Sequence, residues 1–221
     1  MDHSISGVGV VDKTAKILVA LETGPCSLAD LVERTGISRP TAHRLAVALS
    51  DHGLVRRDDE GRFMLGLRLV ALGRAAREAY PLAESAGPIL ARLRDETGES
   101  VQLYVRENDQ RVCIASLESP HGLRTIVALG ASLPLDRGSA GAVLRGGAQA
   151  LRNGYIESVE EREAGVASVS APVFDADDKV IAAVSISGPI ERVSRSPGRL
   201  YGAAVTQAAR SIENASSGAL R

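Results

Sequence analysis

The chain has 221 residues and carries 26 Lys/Arg against 27 Asp/Glu, a net charge of −1. It is long enough for one or two domains with real cores, and too nearly neutral for a global field to draw it onto DNA or an acidic membrane, so any nucleic-acid contact must come from a local patch. Two Phe, four Tyr and no Trp argue against a single-strand binder, which needs aromatic platforms for its bases, whereas reading a duplex with a helix and arginines needs none.

The first residues, MDHSISGVGV, lack the basic start and long apolar run of a signal peptide. No apolar stretch reaches the roughly 18 residues of a membrane span, so a cytoplasmic protein is expected. Asp12 to Leu21 reads as a helix, with Ile17, Leu18 and Leu21 at helical spacing and Val10 and Val11 entering from the preceding turn. Glu22–Pro25 stops it. Cys26 and Cys113 fall in apolar segments without the spacing of a zinc site or a disulfide frame, so they read as small buried hydrophobes, and no metal or cofactor is expected. Ser27 offers an N-cap with Asp30 three residues on, and the helix behind it ends at Thr35-Gly36. Ser38 caps the next helix, whose first turn tolerates Pro40 because the missing N–H is not needed there. Ala42, Leu45, Ala46 and Leu49 line one face of that helix, and Arg39, Thr41, His43, Arg44 and Val47 fall elsewhere. Two short strands, from Leu54 and at Phe63–Leu65, flank a polar turn over Arg56–Arg62. A helix follows from Leu67 to Ala79 with Leu69, Val70, Leu72 and Gly73 on its apolar side, and Tyr80-Pro81 breaks it.

Ser85 to Thr97 is helical again, after which the period becomes alternating. Val101, Leu103 and Val105 oppose Gln102, Tyr104 and Arg106, and Val112–Ala115 forms the partner strand of a hairpin. Leu123 to Leu129 reads as a further strand, and Ser139 to Leu144 as a short helix. Val166–Val173 and Val180–Ser187 alternate cleanly and pair antiparallel across the Asp175–Lys179 turn, and a final helix covers Arg199 to Glu213 with a frayed tail from Asn214.

Three helices and a two-stranded ribbon therefore fill residues 10–65, with the second and third helices joined by TGIS. This is the pattern of a winged helix-turn-helix, in which the start of the later helix enters the major groove. Residues 1–72 hold nine Lys/Arg and nine Asp/Glu, yet Arg34 through Ser50 holds three arginines and no carboxylate. Arg39, Thr41, His43 and Arg44 are the candidate base readers, since arginine suits the guanine edge and a Thr methyl the thymine methyl. Ser38 and Pro40 open the helix, where free N–H groups suit a phosphate. Arg56, Arg57 and Arg62 frame the wing, whose Asp58, Asp59 and Glu60 disfavour close approach to phosphate. The competing readings are an ordinary solvated arginine face, or a ligand-binding protein whose helix-turn-helix serves protein contacts.

In the second half, Ser168 and Ser170 share one strand face, as do Ser185 and Ser187. Hydroxyls on a Val/Ile/Ala surface either grip a small polar ligand in an apolar pocket or lie on a wet sheet face. GSAG is not a nucleophile elbow, because Asp136 stands where the first glycine should be. No histidine among His3, His43, His52 and His121 pairs with Cys113, so no catalytic residue is expected.

The stretch from GVGVVDKTAKILVALETG through GISRPTAHRLAVALSDHGLVRRDDEGRFMLG resembles the DNA-binding domain of IclR-type transcriptional regulators, and LRDETGESVQLYV, LPLDRGSAG and GVASVSAPVFDADDKVIAAVSISGPIERV continue the likeness in order over nearly the whole chain. The EREAGVASVSAPV run resembles an actinobacterial branch governing amino-acid, particularly leucine, biosynthesis. The resemblance implies a winged helix-turn-helix over 1–66, a linker helix over 67–81 and a GAF-like α+β effector domain with an antiparallel sheet over 82–221. It implies homodimers, which can pair as tetramers, on palindromic double-stranded operators. Backbone N–H groups of Gly138, Ser139 and Ala140 at a helix start suit an anion, so the effector is expected to be a small carboxylate or amino acid. Effector contacts transfer to Leu133, Ser139, Ala140, Ser158, Ser168, Ser185 and Ser187, and more loosely to Leu123. Relatives often carry an acid or a cysteine where this chain has Ser158 and Ser168, and a longer helical insertion where this chain has only Arg145–Asn153, a segment that normally helps wall the pocket.

Overall fold

The structure, a computed structural model, describes residues 6–78, 81–146 and 153–219. Most of the shortened segment between Arg145 and Asn153 lies outside these residues. The chain divides into two compact units, residues 1–79 and 80–221.

The first unit runs α1 (Gly9–Ala20), α2 (Leu28–Thr35), α3 (Arg39–Asp51), β1 (Val55–Arg57), β2 (Phe63–Leu65) and α4 (Arg68–Glu78). Helix α1 starts before Asp12, taking in the Val10 and Val11 expected in a preceding turn. Helix α2 is locked by a reciprocal capping box. The Asp30 N–H donates to Ser27 Oγ (3.2 Å) and the Ser27 N–H to Asp30 Oδ2 (2.9 Å), and the bonds from Ser27 hold the Asp30 carboxyl below its usual range. Gly36 ends the helix at φ +68°, a left-handed conformation that costs a residue with a Cβ. Ala42, Ala46 and Leu49 turn one stripe of α3 onto Ile17, Leu31 and Phe63, and that apolar cluster organises the unit. Paired backbone bonds between Cys26 and Phe63, 2.9 Å each way, tie the wing to the start of α2. Gly66 closes the wing against the end of α3, where a Cβ would stand 2.1 Å from the Gly53 carbonyl oxygen. Helix α4 buries no residue among those described, and Leu67, Val70 and Leu72 on or beside it stand 74%, 70% and 50% exposed.

The second unit runs α5 (Pro81–Thr97), β3 (Ser100–Glu107), β4 (Gln110–Leu117), β5 (Ser132–Pro134), α6 (Ser139–Leu144), β6 (Ile156–Val159), β7 (Val166–Phe174), β8 (Val180–Pro189), α7 (Ile190–Val193) and α8 (Pro197–Ala219). A six-stranded antiparallel sheet has the order β5-β4-β3-β8-β7-β6. Alternation along the strands sorts side chains to two faces. Val101, Leu103, Val169, Ala171, Val184 and Ile186 meet Leu90 and Leu93 of α5 and Val205 and Ile212 of α8. Tyr104, Cys113 and Ala183 on the opposite face meet Ala140 and Val143 of α6.

Three expectations need correction. Helix α5 opens at Pro81 rather than Ser85, because a proline in the first turn gives up an N–H that had no helical partner. Residues 123–129 form no strand. Val127 does point inward, but the Thr125 carbonyl is taken by the Ser100 hydroxyl (2.7 Å), and the edge of β4 over residues 110–112 pairs with β5 instead. The final helix starts at Pro197 and continues beyond Asn214 to Ala219.

Candidate DNA-reading face and ligand cavity

On α3 the buried stripe faces inward, which leaves Ser38, Arg39, Pro40, His43 and Arg44 exposed and Thr41 half-buried. The Ser38 hydroxyl does not cap the helix. It donates to Thr41 Oγ1 (3.0 Å), so the N-terminal N–H groups gain no side-chain cap. The side chains of Arg39, Arg44 and Arg56 make no hydrogen bond or ion pair with the other described residues.

The wing differs. The Arg57 guanidinium stacks 4.3 Å from the Phe63 ring centroid and donates to the Gly61 carbonyl (3.1 Å). Arg62 pairs with Asp58 (2.8 Å) and Glu60 (3.2 Å). Partial burial raises the Asp58 carboxyl, but hydrogen bonds from the Arg62 backbone and guanidinium outweigh that and hold it below the usual range. Two of the three wing arginines are thus occupied by the wing's own groups, while Arg56 projects into solvent.

In the second unit the pairings Ser168↔Ser187 and Ser170↔Ser185 put four serines on one sheet face, under α6. The face is dry, which corrects the wet alternative, since Ser170 is 0% and Ser185 3% exposed. Ser139 Oγ lies 2.8 Å from Ser168 Oγ and 2.7 Å from Ser170 Oγ, and the Ser170 hydroxyl donates to Ser185 Oγ (2.9 Å). A hydroxyl has a single proton. With that of Ser170 committed to Ser185, Ser139 donates to Ser170 and Ser168 donates to Ser139. The Ser187 hydroxyl donates to Gln102 Oε1 (3.0 Å).

All of these serines but Ser170 line a cavity of about 30 Å³. That is room for a water or two, well below the several hundred Å³ of a pocket already open for a metabolite. Ser139, Ala140, Ser158, Ser168, Ser185 and Ser187 all line it. Leu123 does not. It stands 70% exposed on the loop that replaces the expected strand. Leu133 does not either, packing instead with the Tyr104 and Ala140 cluster. The remaining lining side chains, Gln102, Tyr104, Arg111, Arg162 and Val166, were not singled out from sequence. For Gln102 and Arg111 a signal existed: each is a polar residue inside an alternating strand, on the face opposite the apolar core. The Gly138 N–H, one of the backbone donors expected for a ligand, is already engaged by Glu161 Oε2 (2.9 Å).

Arg111 is 3% exposed. It lies over the Tyr104 ring, with 5.5 Å from guanidinium carbon to centroid, and donates through Nη1 to the carbonyls of Pro134 and Arg137. Its buried Nε has no hydrogen-bond partner. Burial drives the Tyr104 hydroxyl pKa well upward and the Cys113 thiol up to about 11.

Residues 10–59 match the IclR helix-turn-helix domain, and residues 75–146 and 148–214 match the bacterial transcriptional regulator IclR C-terminal domain. The transcriptional repressor IclR of Escherichia coli is 26% identical over 88% of this chain and 84% of its own length. The glycerol operon regulatory protein of Streptomyces coelicolor is 28% identical over 84% of this chain and 86% of its own. The fold is shared with an IclR homolog from Microbacterium hydrocarbonoxydans, solved in complex with 4-hydroxybenzoate, at a TM-score of 0.77 and 21% identity, covering 93% of this chain and 98% of that one. Family and relatives alike are regulators rather than enzymes. With a helix-turn-helix whose arginines face outward, and both domains matched in order over most of its length, this chain belongs to the IclR family of bacterial transcriptional regulators.

Proposed function

We propose that the chain acts in the cytoplasm as a homodimer, or a pair of dimers, on a palindromic operator, and that a small carboxylate or amino acid entering the serine-lined cavity changes its hold on DNA. The carrying observation is the free, outward face of α3, where Arg39 and Arg44 have no internal partner. Arg44, with Arg39, Thr41 and His43, reads base edges. The uncapped start of α3 at Ser38 and Pro40 takes a phosphate, and Arg56 takes another. Arg57 and Arg62 contribute as far as they release their partners in the wing.

Dimerisation is supported by α4, read here as the linker helix. Leu67, Val70 and Leu72 make an exposed apolar run of the kind that marks an interaction site. The antiparallel sheet with helices on both faces supports the GAF-like description of the effector domain, over residues 82–221. Control of amino-acid biosynthesis genes, leucine among them, is the regulon to which the run from Glu161 to Val173 points.

Footprinting on the DNA upstream of the gene, repeated with a panel of oxo and amino acids, tests this reading. Arg44→Ala is expected to weaken operator binding by about 1–3 kcal/mol. Unchanged operator affinity in that variant refutes the groove assignment.

A further inference from the structure

The cavity wall contains two guanidinium groups, Arg111 and Arg162, and no carboxylate. Arg111 is the more unusual. It projects from the start of β4, one strand in from the sheet edge, is almost wholly buried, and has no carboxylate within ion-pair distance among the described residues. Asp136 acts on it only through space, and burial lowers the affinity of its guanidinium for its proton. A buried cation without an anion is costly, and buried donors without acceptors are uncommon enough to need a reason. Two backbone carbonyls hold Nη1 in place, yet Nε stays unpartnered beside the cavity. The serine chain adds a second unused donor. With Ser168 donating to Ser139, Ser139 to Ser170 and Ser170 to Ser185, the Ser185 proton has no acceptor among the described residues. Arg162 stands at the edge of the wall, a quarter exposed, and among the described residues its one ion-pair contact is a loose 3.6 Å to Glu163.

Resting on the reading of this unit as a sensor, we propose that Arg111 is the charge anchor of the ligand site and that the site selects a compact acid carrying no ammonium group. The ligand's carboxylate meets Arg111 and the Ser185 hydroxyl. Arg162 gives way as the ligand enters and closes on its second acidic or carbonyl oxygen. An amino acid is disfavoured at this site because its ammonium would lie among two guanidinium groups, while Glu161 beside the wall is already engaged by the Gly138 N–H, a like-charge arrangement in a poorly solvated space.

The test is calorimetric titration and thermal shift of the full-length protein against matched pairs: short 2-oxo acids and dicarboxylates, the amino acids of the same skeletons, and the corresponding neutral amides. Gel shift with the operator is run separately. The acids are expected to bind and raise the melting temperature, the amino acids to bind about tenfold or more weakly, and the amides not at all. Arg162→Ala, at a solvent-reachable position, is expected to weaken acid binding about tenfold with the unliganded melting temperature unchanged. Arg111→Lys keeps the charge but not the fork, and is expected to weaken it further. An amino acid that binds as tightly as its oxo acid and releases the operator overturns the selectivity while leaving the sensor reading standing. Binding by no member of the panel overturns both, and leaves DNA recognition to be judged by the gel shift alone. Unchanged acid affinity in folded Arg111→Lys and Arg162→Ala proteins overturns the anchor.

Discussion

The same substitution, glycine to alanine, is expected to act with opposite sign at two helical positions of the second unit. At Gly141 in α6, a Cβ would stand 2.3 Å from the Leu135 carbonyl oxygen and 2.7 Å from Arg111 Nη1. Neither neighbour can retreat freely. Leu135 is backbone, and Arg111 is held by the carbonyls of Pro134 and Arg137. Relief must therefore come from α6 lifting off the sheet, which also stretches the Ser139 contacts to Ser168 and Ser170 two residues away. Overpacking of this kind costs about 1–3 kcal/mol, and roughly 3 °C of melting temperature per kcal/mol for a unit of this size gives a fall of about 3–9 °C. At Gly87 in α5 a Cβ meets nothing within 4 Å. There alanine restricts the unfolded chain and improves helix propensity, worth about 0.5–1 kcal/mol, less the crowding of its Cβ by the ring of the following Pro88, so a rise below about 2 °C is expected. Differential scanning calorimetry of full-length Gly141→Ala and Gly87→Ala proteins measures both. A Gly141→Ala protein that melts with the parent would show that α6 is not held against Arg111 as described.

Glu99 is 2% exposed and pairs through both oxygens with Arg192 (2.6 and 2.9 Å). Arg192→Ala strands a buried carboxylate and is expected to cost about 3 kcal/mol in urea unfolding, whereas Glu99→Gln leaves a guanidinium that already reaches water and is expected to cost less than half of that. In the wing, Arg56→Ala is expected to weaken binding to operator and random DNA alike and to lower the salt slope by about one, whereas Arg62→Ala, removing a cation already paired with Asp58 and Glu60, is expected to change the slope little. Gel shifts over a salt series separate the two. Cys113, buried with its thiol pushed up to about 11 from 9.0, keeps its proton in the folded state after the unfolded chain has lost it. The stability it confers below about pH 9 is therefore expected to fall as pH climbs toward 11, and thiol reagents at neutral pH to label it only as fast as the unit opens.

The sequence revealed the first unit almost completely because its signals are local. Ser27 and Asp30 form a capping box within four residues, Gly36 ends a helix by its own conformation, and the Ala42–Ala46–Leu49 stripe names the inward face of α3 and hence the outward one. The serine cluster was legible for a similar reason, since alternation along two strands joined by a short turn fixes their register. What stayed hidden depends on neighbours distant in the chain. Leu123–Leu129 has the composition of a strand, but whether it pairs is decided by the β4 edge, which β5 occupies. Arg57 and Arg62 look alike as exposed wing cations, and only the folded turn shows one stacked on Phe63 and the other held by Asp58 and Glu60. Arg111 reads as one polar residue among others in an alternating strand, and its isolation from any carboxylate becomes visible only when α6 is laid over the sheet.

The charge distribution explains why a chain with a net charge of −1 need not be a poor DNA binder and why the proposed dimer matters to it. The wing's own groups occupy two of its cations, Arg62 through Asp58 and Glu60 and Arg57 through Phe63 and the Gly61 carbonyl, so each N-terminal unit offers Arg39, Arg44 and Arg56 without such competition among the described residues. With Arg39 and Arg44 turned to base edges and Arg56 to a phosphate, each copy supplies a small phosphate term, and affinity through counterion release scales with the number of phosphates neutralised. One copy therefore holds DNA weakly and releases wrong sequences readily, whereas two copies joined through an apolar surface such as that of α4 double the contacts and add the requirement of correctly spaced half-sites. A more basic domain would bind tightly as a single copy and lose that dependence on spacing. If the chain pairs as proposed, near-neutrality places specificity in the geometry of the pair, and a ligand that altered the spacing of two copies would control binding without touching a base-reading residue.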